Sequence, residues 1–345
     1  MSRPEIIRRG DDPASFDALI DTADFPTLDR RELAFSRHYY TAVRGDAMTD
    51  TGFAVLDGGR PAGLAICDVT AGRLSNIHGG LTVDCAAGVD ASFRTVVLKA
   101  AFEEIDRLAA ERGVRDVRVA EPSLAGEISD FGQLCIARQA APNLLMSAVA
   151  DLTEDEPALS RRVRKSYKSL INWGRRELTL RYVNAETLDR SLYDAFKELH
   201  RVVAGRVTRS QASWDAAFDW IRWGHAELAL GYMADGALVA GTMFRDGDRT
   251  TRYTTAAYDR SRFDKPISHW PVFDAMLRGK ARGCQLADLG QVPAFGSVDA
   301  KAYQIGQFKK GLTGRLTSAI EWSWSPGGTD TESNSKKHAA KREFA

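Results

Sequence analysis

TTRYTTAAYDRSRFDKPISHWPVFDAMLRGKARGCQLADLGQ, residues 250–291, is the stretch that decides the fold. Residues 251–257 are rich in β-branched and aromatic side chains and predict a strand, and residues 285–290 predict another. Between the two strands, apolar residues recur at helical spacing and predict a helix over 268–282. A strand, a helix and a second strand in this order predict a domain of the α/β class.

The loop between the first strand and the helix carries most of the functional groups of this stretch. Those side chains are Tyr258, Asp259, Arg260, Arg262, Asp264, Lys265 and His269. Ser268 is the predicted N-cap of the helix, and Gly283 is the predicted residue just past its C-terminus. Because the first turn of a helix has free N–H groups and lies at the positive end of the helix dipole, this loop is a candidate anion site.

The first half of the chain has the same order of predicted elements as the second. Strands are predicted over 52–56, 62–67 and 74–83, followed by a helix over 91–112 and a strand over 114–120. The second half begins with strands over 228–233 and 238–244, and residues 250–291 complete it. This shared β-β-β-α-β order predicts two similar α/β domains, over residues 1–150 and 151–326. The polar residues 327–345 are predicted to be disordered.

The composition favours a globular protein of the cytoplasm. Of the 345 residues, 44% are hydrophobic and 27% are charged, and the formal net charge of +1 gives no overall field that would attract DNA. The four cysteines lie far apart, without the spacing of a zinc site or a disulfide framework, which indicates a reducing compartment and no metal. The polar N-terminus predicts no signal peptide, and no apolar run reaches the roughly 18 residues that a membrane span needs.

Residues 161–176 are strongly basic. Seven arginine and lysine side chains occur between 157 and 176 without an acidic one, and Tyr167, Leu170 and Trp173 are interleaved among them. This pattern predicts an amphipathic basic helix. One interpretation is a solvated face beside a packed apolar stripe. The other is a surface that contacts the phosphates of a nucleotide, a nucleotide-linked sugar or RNA.

The segment that follows residue 200 is a second candidate for anion binding. Arginines accumulate here around Gly205, and Arg206 and Arg209 lie close to His200 in the sequence. The guanidinium group binds carboxylate or phosphate through two parallel hydrogen bonds, so this composition suits an anionic ligand. The alternative is an ordinary loop in which Ser213 is the N-cap of the next helix.

Two side chains of residues 250–291 are candidates for acid–base chemistry. His269 lies at the start of the predicted helix, where it is either a general base or ligand contact, or a structural histidine. Asp288 lies in the final predicted strand, just before Gly290 and Gln291. A carboxylate at the C-terminal end of a strand in an α/β sheet is often part of the site. The alternative is a hydrogen-bonded anchor.

Residues 303–316 supply a candidate lysine. Lys309 and Lys310 stand between Gly306 and Gly311, and glycines permit a backbone to approach a ligand closely. A lysine can stabilise a developing oxyanion, whereas the alternative is a hairpin with two surface lysines. The sequence contains no GxSxG, P-loop or HExxH motif, which favours direct transfer of a group between two positioned substrates.

These features resemble the FemAB-like branch of the GNAT acyltransferase superfamily. The resemblance rests on the two tandem α/β domains, the basic helix between them, the Asp288-Leu289-Gly290 strand and the Phe308-Lys309-Lys310-Gly311 segment. It covers most of residues 50–325 and is strongest over 160–316. It implies an α/β fold of two tandem GNAT-like domains, each with a mixed sheet and flanking helices. The site is predicted in the second domain, because only that copy carries Tyr258, Asp259, Arg260 and His269.

The resemblance implies transfer of an acyl or aminoacyl group to an amine of a cell-wall precursor or surface saccharide. The donor would be acyl-CoA or aminoacyl-tRNA, with no permanently bound cofactor and charged tRNA as a possible partner. Lys309 falls on the family's lysine near the transfer centre, and Asp288 and His269 complete the predicted catalytic set. The predicted substrate-binding residues are Arg206, Arg209, Tyr253, Tyr258, Asp259, Arg260 and Gln291.

Two other functions fit the same sequence. Residues 260–266 lack the glycines that GNAT enzymes usually place before this helix to bind acyl-CoA. An acyl-CoA-dependent N-acetyltransferase is still one alternative, because Fem-type enzymes also lose those glycines. The other is a non-catalytic protein that holds a nucleotide-linked saccharide with the basic helix and residues 206–209.

Overall fold

A computed structural model describes residues 4–76, 79–122 and 127–326 of the chain. The elements of the first half are β1 (Glu5–Arg8), α1 (Pro13–Ile20), α2 (Arg30–Arg44), β2 (Met48–Asp50), β3 (Phe53–Asp57), β4 (Arg60–Ile66), β5 (Asp68–Thr70), β6 (Arg73–Ser75), β7 (Thr82–Cys85), α3 (Ala91–Glu111), β8 (Asp116–Pro122), α4 (Asp130–Ala137) and β9 (Ala141–Asp151). Those of the second half are α5 (Glu156–Arg162), α6 (Lys165–Glu177), β10 (Thr179–Val183), α7 (Arg190–Ala204), α8 (Gln211–Arg222), β11 (Ala226–Tyr232), β12 (Leu238–Asp246), β13 (Thr250–Tyr258), α9 (His269–Ala281), β14 (Leu286–Gln291), α10 (Ala300–Thr313) and β15 (Leu316–Trp324).

The chain divides into two compact units, and each draws on both halves of the sequence. Of the described residues, the first unit takes 4–27, 47–76, 79–122, 127–143 and 320–326, and the second takes 28–46 and 144–319. The predicted boundary at residue 150 falls inside β9, seven residues after the division between units (150 against 143). The sequence prediction also assigned α2 to the first domain, whereas α2 packs on α8 within the second unit.

The second unit is built on a mixed sheet with the strand order β10-β11-β12-β13-β14-β9. Every neighbouring pair in it is antiparallel except β13 and β14, which are parallel and are connected through α9. A connection of this kind requires a crossover helix, and residues 250–291 supply both strands and the helix. The predicted strand-helix-strand order of this stretch is therefore present.

Helix α9 is fixed to this sheet by its apolar face and by its C-terminal arginines. Val272, Phe273 and Met276 are at most 2% exposed. Near the C-terminus of α9, Arg278 donates two hydrogen bonds of 2.5 Å to the buried Glu227 of β11, and Arg282 donates one of 2.9 Å to the same carboxylate. Cations at a helix C-terminus also interact favourably with the helix dipole. The two effects together hold α9 in place across the sheet.

The first unit repeats the order β-β-β-α-β with smaller strands. Strands β1, β3, β4 and β7 form one antiparallel sheet, and α3 follows β7 and leads to β8. The predicted strand over 74–83 is wrong, because this region contains two short strands, β6 and β7, that pair with different partners. Leu81 forms an isolated parallel bridge with Val119, which is the counterpart of the parallel pairing between β13 and β14.

Two further predictions differ from the structure. The basic segment is not one helix over 161–176 but the two helices α5 and α6, which are separated by Val163, in an extended conformation, and Arg164. Ser210, and not Ser213, is the N-cap of α8 and accepts a hydrogen bond from the Ser213 N–H. The predicted disordered tail, residues 327–345, lies outside the described residues.

Candidate functional site

The candidate site lies where β13 and β14 diverge. The parallel pairing joins only Thr250–Arg252 to Leu286–Asp288. Beyond these three pairs the two strands separate, and their backbone groups no longer bond to each other. The predicted residues Tyr253 and Tyr258 follow the paired part of β13, and Gly290 and Gln291 follow that of β14. Divergence of two neighbouring strands opens a sheet for a side chain or a substrate.

A β-bulge places both tyrosines of β13 on one face. The register with β12 shifts at Thr254, so that one extra residue is inserted between Tyr253 and Thr255. Without it, residues 253 and 258 would point to opposite faces, because side chains alternate along a strand. With it, the two phenol oxygens lie 3.4 Å apart, and the Tyr258 hydroxyl lies 2.9 Å from the Thr242 hydroxyl. Burial raises the pKa of Tyr253 to about 12, and raises the pKa of Tyr258 well above its usual value.

Asp288 has the geometry of an anchor. Its Oδ2 accepts a 2.7 Å hydrogen bond from Nη1 of Arg252, which is its register partner on β13. Its Oδ1 accepts a 2.7 Å hydrogen bond from the Gly290 N–H. Here β14 is also bulged against β9, and Gly290 has a φ of +88°. Because both carboxylate oxygens are engaged, Asp288 is better placed to hold Gly290 and Arg252 than to remove a proton.

Lys309 reaches the same place from α10. Its Nζ lies 5.9 Å from the centre of the Tyr253 ring, and a methyl group added to Gly290 would lie 3.1 Å from that nitrogen. The glycine therefore gives the ammonium room to lie against the backbone of β14. Burial lowers the pKa of Lys309, and the Asp288 carboxylate opposes this shift. Within the described part of the chain, the Lys309 ammonium has no hydrogen-bonded or ion-paired partner, whereas the neighbouring Lys310 is exposed.

The two glycines that flank the lysines position α10 and do not face a ligand. A methyl group added to Gly306 would lie 2.8 Å from Cδ of Pro293, and one added to Gly311 would lie 2.4 Å from the Tyr167 ring. These glycines therefore make close contacts with α6 and with the segment after β14, in place of the predicted approach to a ligand. The alternative of a hairpin over 303–316 is wrong, because α10 covers most of it.

His269 lies in an aromatic box beside this centre. Its ring centre is 4.6 Å from that of Tyr167 and 5.2 Å from that of Phe308, both near perpendicular. Burial lowers the pKa of His269 to about 4, against the opposing effect of a hydrogen bond with the Pro266 backbone. A histidine with this pKa is neutral at pH 7 and is a weak base. Its packing is that of a structural histidine that supports Phe308, the residue before Lys309.

Part of the predicted substrate-binding set lies in a separate groove. Asp259 and Arg260 line a groove of about 340 Å³ with the C-terminal end of α7 and with Gly205, which follows α7 and precedes Arg206. Arg209 lies apart from the groove residues and packs over the Trp214 ring at 5.7 Å. Gln291 is exposed at the end of β14. The structure thus brings together Lys309, Asp288, Tyr253 and Tyr258, and places His269 one ring away from them.

Three residues of the centre were not predicted. Arg252 holds Asp288, Thr242 hydrogen-bonds Tyr258, and Tyr167 packs against Gly311 and His269. The position of Arg252 has a sequence signal, because a basic residue in one strand of a parallel pair often faces an acidic residue in the other. Tyr167 was seen as part of an apolar stripe, but the sequence contains no signal that joins this tyrosine to residue 311.

The described ranges also limit other kinds of site. Within residues 4–76, 79–122 and 127–326, no helix is both long enough and apolar enough to cross a membrane. Over the same ranges, no group of three or more histidine, cysteine, aspartate or glutamate side chains is placed to hold a metal ion. The four cysteines are all buried and unpaired, and burial raises the pKa of each thiol above its usual value.

The chain is similar in fold to several solved structures. A structure of FemX superposes with a TM-score of 0.64 and 13% identity, over 92% of this chain and 96% of that chain. L-PGS from Bacillus licheniformis gives a TM-score of 0.55 and 13% identity, over 92% of this chain and 93% of that chain. A tandem GNAT protein from the clavulanic acid biosynthesis pathway gives 0.53 and 14%, over 95% of this chain and 100% of that chain.

These similarities establish the fold. No protein-family model matches the chain, and no curated protein matches its sequence. The fold is the tandem GNAT fold in its FemAB-like form, and this confirms the predicted fold class and the resemblance at the level of the fold. Because the identities of 13–14% show the fold alone, the chemistry of this chain has to be argued from its own residues.

Proposed function

We propose that this protein is an acyl or aminoacyl transferase that moves an acyl group to an amine of a cell-wall precursor or surface saccharide. Its fold is shared with FemX, with L-PGS and with a tandem GNAT protein. The observation that carries the proposal is the Lys309 ammonium, which is half-buried, free of a bonded partner among the described residues and aimed at the divergence of β13 and β14.

Lys309 supplies the charge that such a reaction needs. When an amine attacks an ester or thioester carbonyl, negative charge develops on the carbonyl oxygen. A fixed cation in a partly water-excluded site stabilises this charge more strongly than water does. The Asp288 carboxylate favours the charged form of Lys309, and Arg252 and Gly290 keep that carboxylate occupied. The ammonium is therefore left to interact with the substrate.

The proposed reaction forms one bond, breaks one bond and moves two protons. The acceptor nitrogen forms a bond to the carbonyl carbon, the bond from that carbon to oxygen or sulfur breaks, and the nitrogen loses one proton to solvent. The leaving oxygen or sulfur takes up one proton. Tyr253 and Tyr258 stay protonated at neutral pH because burial raises the pKa of both hydroxyls, so they are hydrogen-bond donors to that atom. No covalent intermediate on the enzyme is required.

The donor is proposed to be aminoacyl-tRNA or acyl-CoA, and neither is held permanently. Between β13 and α9 the chain forms a 3-10 turn over Arg260–Arg262, and residues 260–266 contain no glycine. The Ser268 side chain makes no capping hydrogen bond at the start of α9. These features make the loop a poor pyrophosphate cradle and favour aminoacyl-tRNA. Acyl-CoA, and with it an N-acetyltransferase, is the second donor to test.

A non-catalytic saccharide-binding protein is the competing function. The groove lined by Asp259 and Arg260 is the observation that favours it, because a carboxylate and a guanidinium suit sugar hydroxyls and an anionic group. If this function were correct, ligand binding would depend on the groove and would not depend on Lys309. The two functions therefore differ in the residue on which they depend.

The proposal is tested by a transfer assay with matched lysine variants. Candidate donors, namely CoA thioesters and charged tRNA, are combined with UDP-sugar and amino-sugar acceptors, and modified acceptors are detected by mass spectrometry. For a pair that reacts, we expect Lys309→Ala to lower the transfer rate by about 10²- to 10³-fold, which is the usual cost of losing one oxyanion donor. Lys310→Ala is the control, because it removes an exposed lysine from the next position of α10.

The outcomes separate the two functions. Equal rates for the wild type and Lys309→Ala would remove Lys309 from the chemistry. No modified acceptor with any donor, together with saccharide binding that is lost in Arg260→Ala, would favour the binding protein. A thermal-shift screen with the same compounds identifies the ligands to test first, because a ligand that binds only the folded state raises the apparent stability.

A further inference from the structure

A chain of alternating charges leads away from Lys309 along β14 and β13 to α2, and from α2 to β12. Asp288 of β14 accepts a hydrogen bond of 2.7 Å from Arg252 of β13. The Arg252 Nε lies 3.3 Å from a carboxylate oxygen of Glu32 on α2. Nη2 of Arg245 on β12 lies 2.7 Å from both oxygens of that carboxylate. The two arginines and two carboxylates cancel, so Lys309 is the surplus cation at one end of the chain.

These groups are shielded from water to different degrees. The side chains of Arg245 and Glu32 are 7% and 17% exposed, and those of Asp288 and Arg252 are 21% and 33% exposed. Charges in such surroundings interact over longer distances than they do at an exposed surface. The Arg245 guanidinium also lies 3.6 Å from the centre of the Phe35 ring, which fixes this end of the chain.

The first turn of α2 is held firmly, and this fixes the position of Glu32. Asp29 is the N-cap of α2 and accepts a 2.8 Å hydrogen bond from the Glu32 N–H. The Asp29 carboxylate also accepts one of 3.0 Å from the Asp248 N–H, in the turn between β12 and β13. The Arg30 N–H in turn donates to Asp248 at 2.7 Å. Glu32 therefore has a defined place beside the start of β13, far from Lys309 in the sequence.

We propose that Glu32 is a positioning residue for the transfer centre: its carboxylate balances the Arg245 and Arg252 guanidinium groups, so that Arg252 occupies Asp288 without an excess of positive charge and the Lys309 ammonium stays directed at the substrate. The inference rests on the proposed function, because only a transfer reaction gives the direction of the Lys309 ammonium a chemical role. The positioning itself concerns only charged groups of this chain and can be measured without a substrate.

The proposal predicts opposite effects at the two ends of the Glu32–Arg252 pair. Glu32→Gln removes a negative charge and leaves Arg252 and Arg245 in excess, which disfavours the Lys309 ammonium. Arg252→Gln removes a positive charge and frees Asp288 to pair with Lys309, which favours the ammonium. The sign of each change follows from the sign of the charge that is lost. A merely structural role gives a different pattern, because loosening the packing admits water to Lys309 in both variants and favours the ammonium in both.

The test is trace acetylation of the purified protein with acetic anhydride from pH 6 to pH 11. Only the neutral amine reacts, so mass spectrometry of the peptide that contains Lys309 gives the pH midpoint of this lysine. The titratable groups around Lys309 are Asp288 on β14 and Tyr253 and Tyr258 on β13, with His269 on α9 behind Phe308. We expect the midpoint to fall by about half a pH unit or more in Glu32→Gln and to rise by a similar amount in Arg252→Gln.

Three controls make the result decisive. Arg252→Lys keeps the positive charge and is expected to shift the midpoint less than Arg252→Gln does. Glu198→Gln removes the carboxylate of an exposed pair with Arg201 and is expected to leave the midpoint unchanged. Thermal unfolding confirms that each variant is folded at the labelling temperature, and Glu32→Ala, which also removes the negative charge, replaces Glu32→Gln if the latter is not.

The sign of the Glu32→Gln shift decides the proposal. A midpoint that rises in both variants, or that does not move in either, overturns it. If no donor and acceptor pair reacts, the proposed function fails while the labelling result stands. If a pair reacts but Glu32→Gln changes neither the midpoint nor the pH profile of transfer, the positioning role fails while the proposed function stands.

Discussion

The two units share the order β-β-β-α-β, and they differ in the helix that follows its last strand. In the first unit, α4 follows β8, and its Phe131 and Cys135 are 5% and 0% exposed within an apolar core. In the second unit, α10 follows β14, and it carries Lys309 to the diverging strands. Each helix packs closely through a glycine: Gly132 of α4 lies against the Glu121 side chain of β8, and Gly306 of α10 lies against Val292 and Pro293, just after β14. The same packing device therefore delivers an apolar residue in one unit and a cation in the other.

The neighbouring strands differ in the same way. In the first unit, Leu81 and Val119, which mark the parallel bridge, are 0% and 1% exposed, and Trp322 joins the same core. In the second unit, the corresponding region of β13 carries Tyr253 and Tyr258, whose hydroxyls face each other. An apolar filling stabilises a fold, whereas half-buried polar groups cost desolvation and persist where they have a use. We therefore propose that the first copy serves stability and that the second serves the chemistry.

The largest effect on stability is expected from Phe131 of α4. Phe131→Ala removes a buried ring that packs against Phe102 at a centre-to-centre distance of 5.6 Å. We expect it to lower the free energy of unfolding by about 3–5 kcal/mol, because it removes buried area and leaves a cavity. Urea unfolding followed by circular dichroism gives this value.

The matched change in the second copy is Phe308→Ala. Phe308 is only partly buried, so we expect a smaller loss of stability, about 1–2 kcal/mol. We also expect a lower transfer rate, because this ring is packed against His269 and Tyr167 beside Lys309. An equal loss of stability for the two variants, with no loss of transfer in either, would contradict the division of roles between the copies.

The copies could be recognised from sequence because their signals are local. The helical spacing of Val272, Phe273 and Met276 predicts α9, and the structure begins and ends that helix within one residue of the predicted bounds. Gly283 has a φ of +95°, as expected just past a helix C-terminus. Such patterns depend on side chains within one element, so a single sequence contains them.

The transfer centre could be predicted only in part because its contacts are not local. Lys309, Asp288 and Tyr258 were chosen from the sequence, but their proximity depends on two β-bulges, and a one-residue insertion is invisible in the period of a strand. The grouping of α2 with the second unit reflects its packing on α8 and the pairing of Glu32 with Arg245, which is 213 residues away in the sequence. The glycines of α10 were interpreted as ligand contacts because the sequence does not reveal that Pro293 and Tyr167 occupy those spaces.

The next effect concerns His269, for which the first copy has no counterpart at the start of α3. The pKa of His269 is about 4 in the folded protein and near 6.5 when unfolded. The pKa of His269 is lower in the folded protein than in the unfolded chain. The stability that depends on a neutral His269 is therefore fully present above pH 6.5 and is lost as the pH falls toward 4. We expect a loss on the order of 3 kcal/mol across this window from His269 alone.

The variant His269→Gln removes this titration and keeps a polar side chain in the box. We expect its free energy of unfolding to decline less between pH 7 and pH 4 than that of the wild type, as measured by urea unfolding at each pH. His225→Gln is the comparison, because burial also lowers the pKa of His225. His225 is far from Lys309 in the sequence, and its ring packs against Trp220 and not against Phe308. Parallel pH curves for the wild type and His269→Gln would show that His269 is not held neutral.

A small effect on stability, and the sharpest test of the comparison, is expected from Gly290. Gly290→Ala forces a side chain into a backbone with a φ of +88°, at a cost of about 1–2 kcal/mol. The added methyl group also lies 3.1 Å from Nζ of Lys309, so the ammonium has to move away from the backbone of β14. We expect transfer to fall by roughly three- to tenfold, because a shift of a few tenths of an ångström is smaller than the misplacement of about 1 Å that can cost 10²-fold.

Gly283→Ala separates backbone strain from displacement of the lysine. Gly283 has a similar φ of +95°, but a methyl group there meets no atom within 4 Å. The two variants are therefore expected to lose similar stability in thermal unfolding, while only Gly290→Ala loses transfer activity. If both variants lost activity equally, strain in β14 and α9 would explain the effect. If neither did, the contact between Gly290 and Lys309 would have no part in the chemistry that distinguishes the second copy from the first.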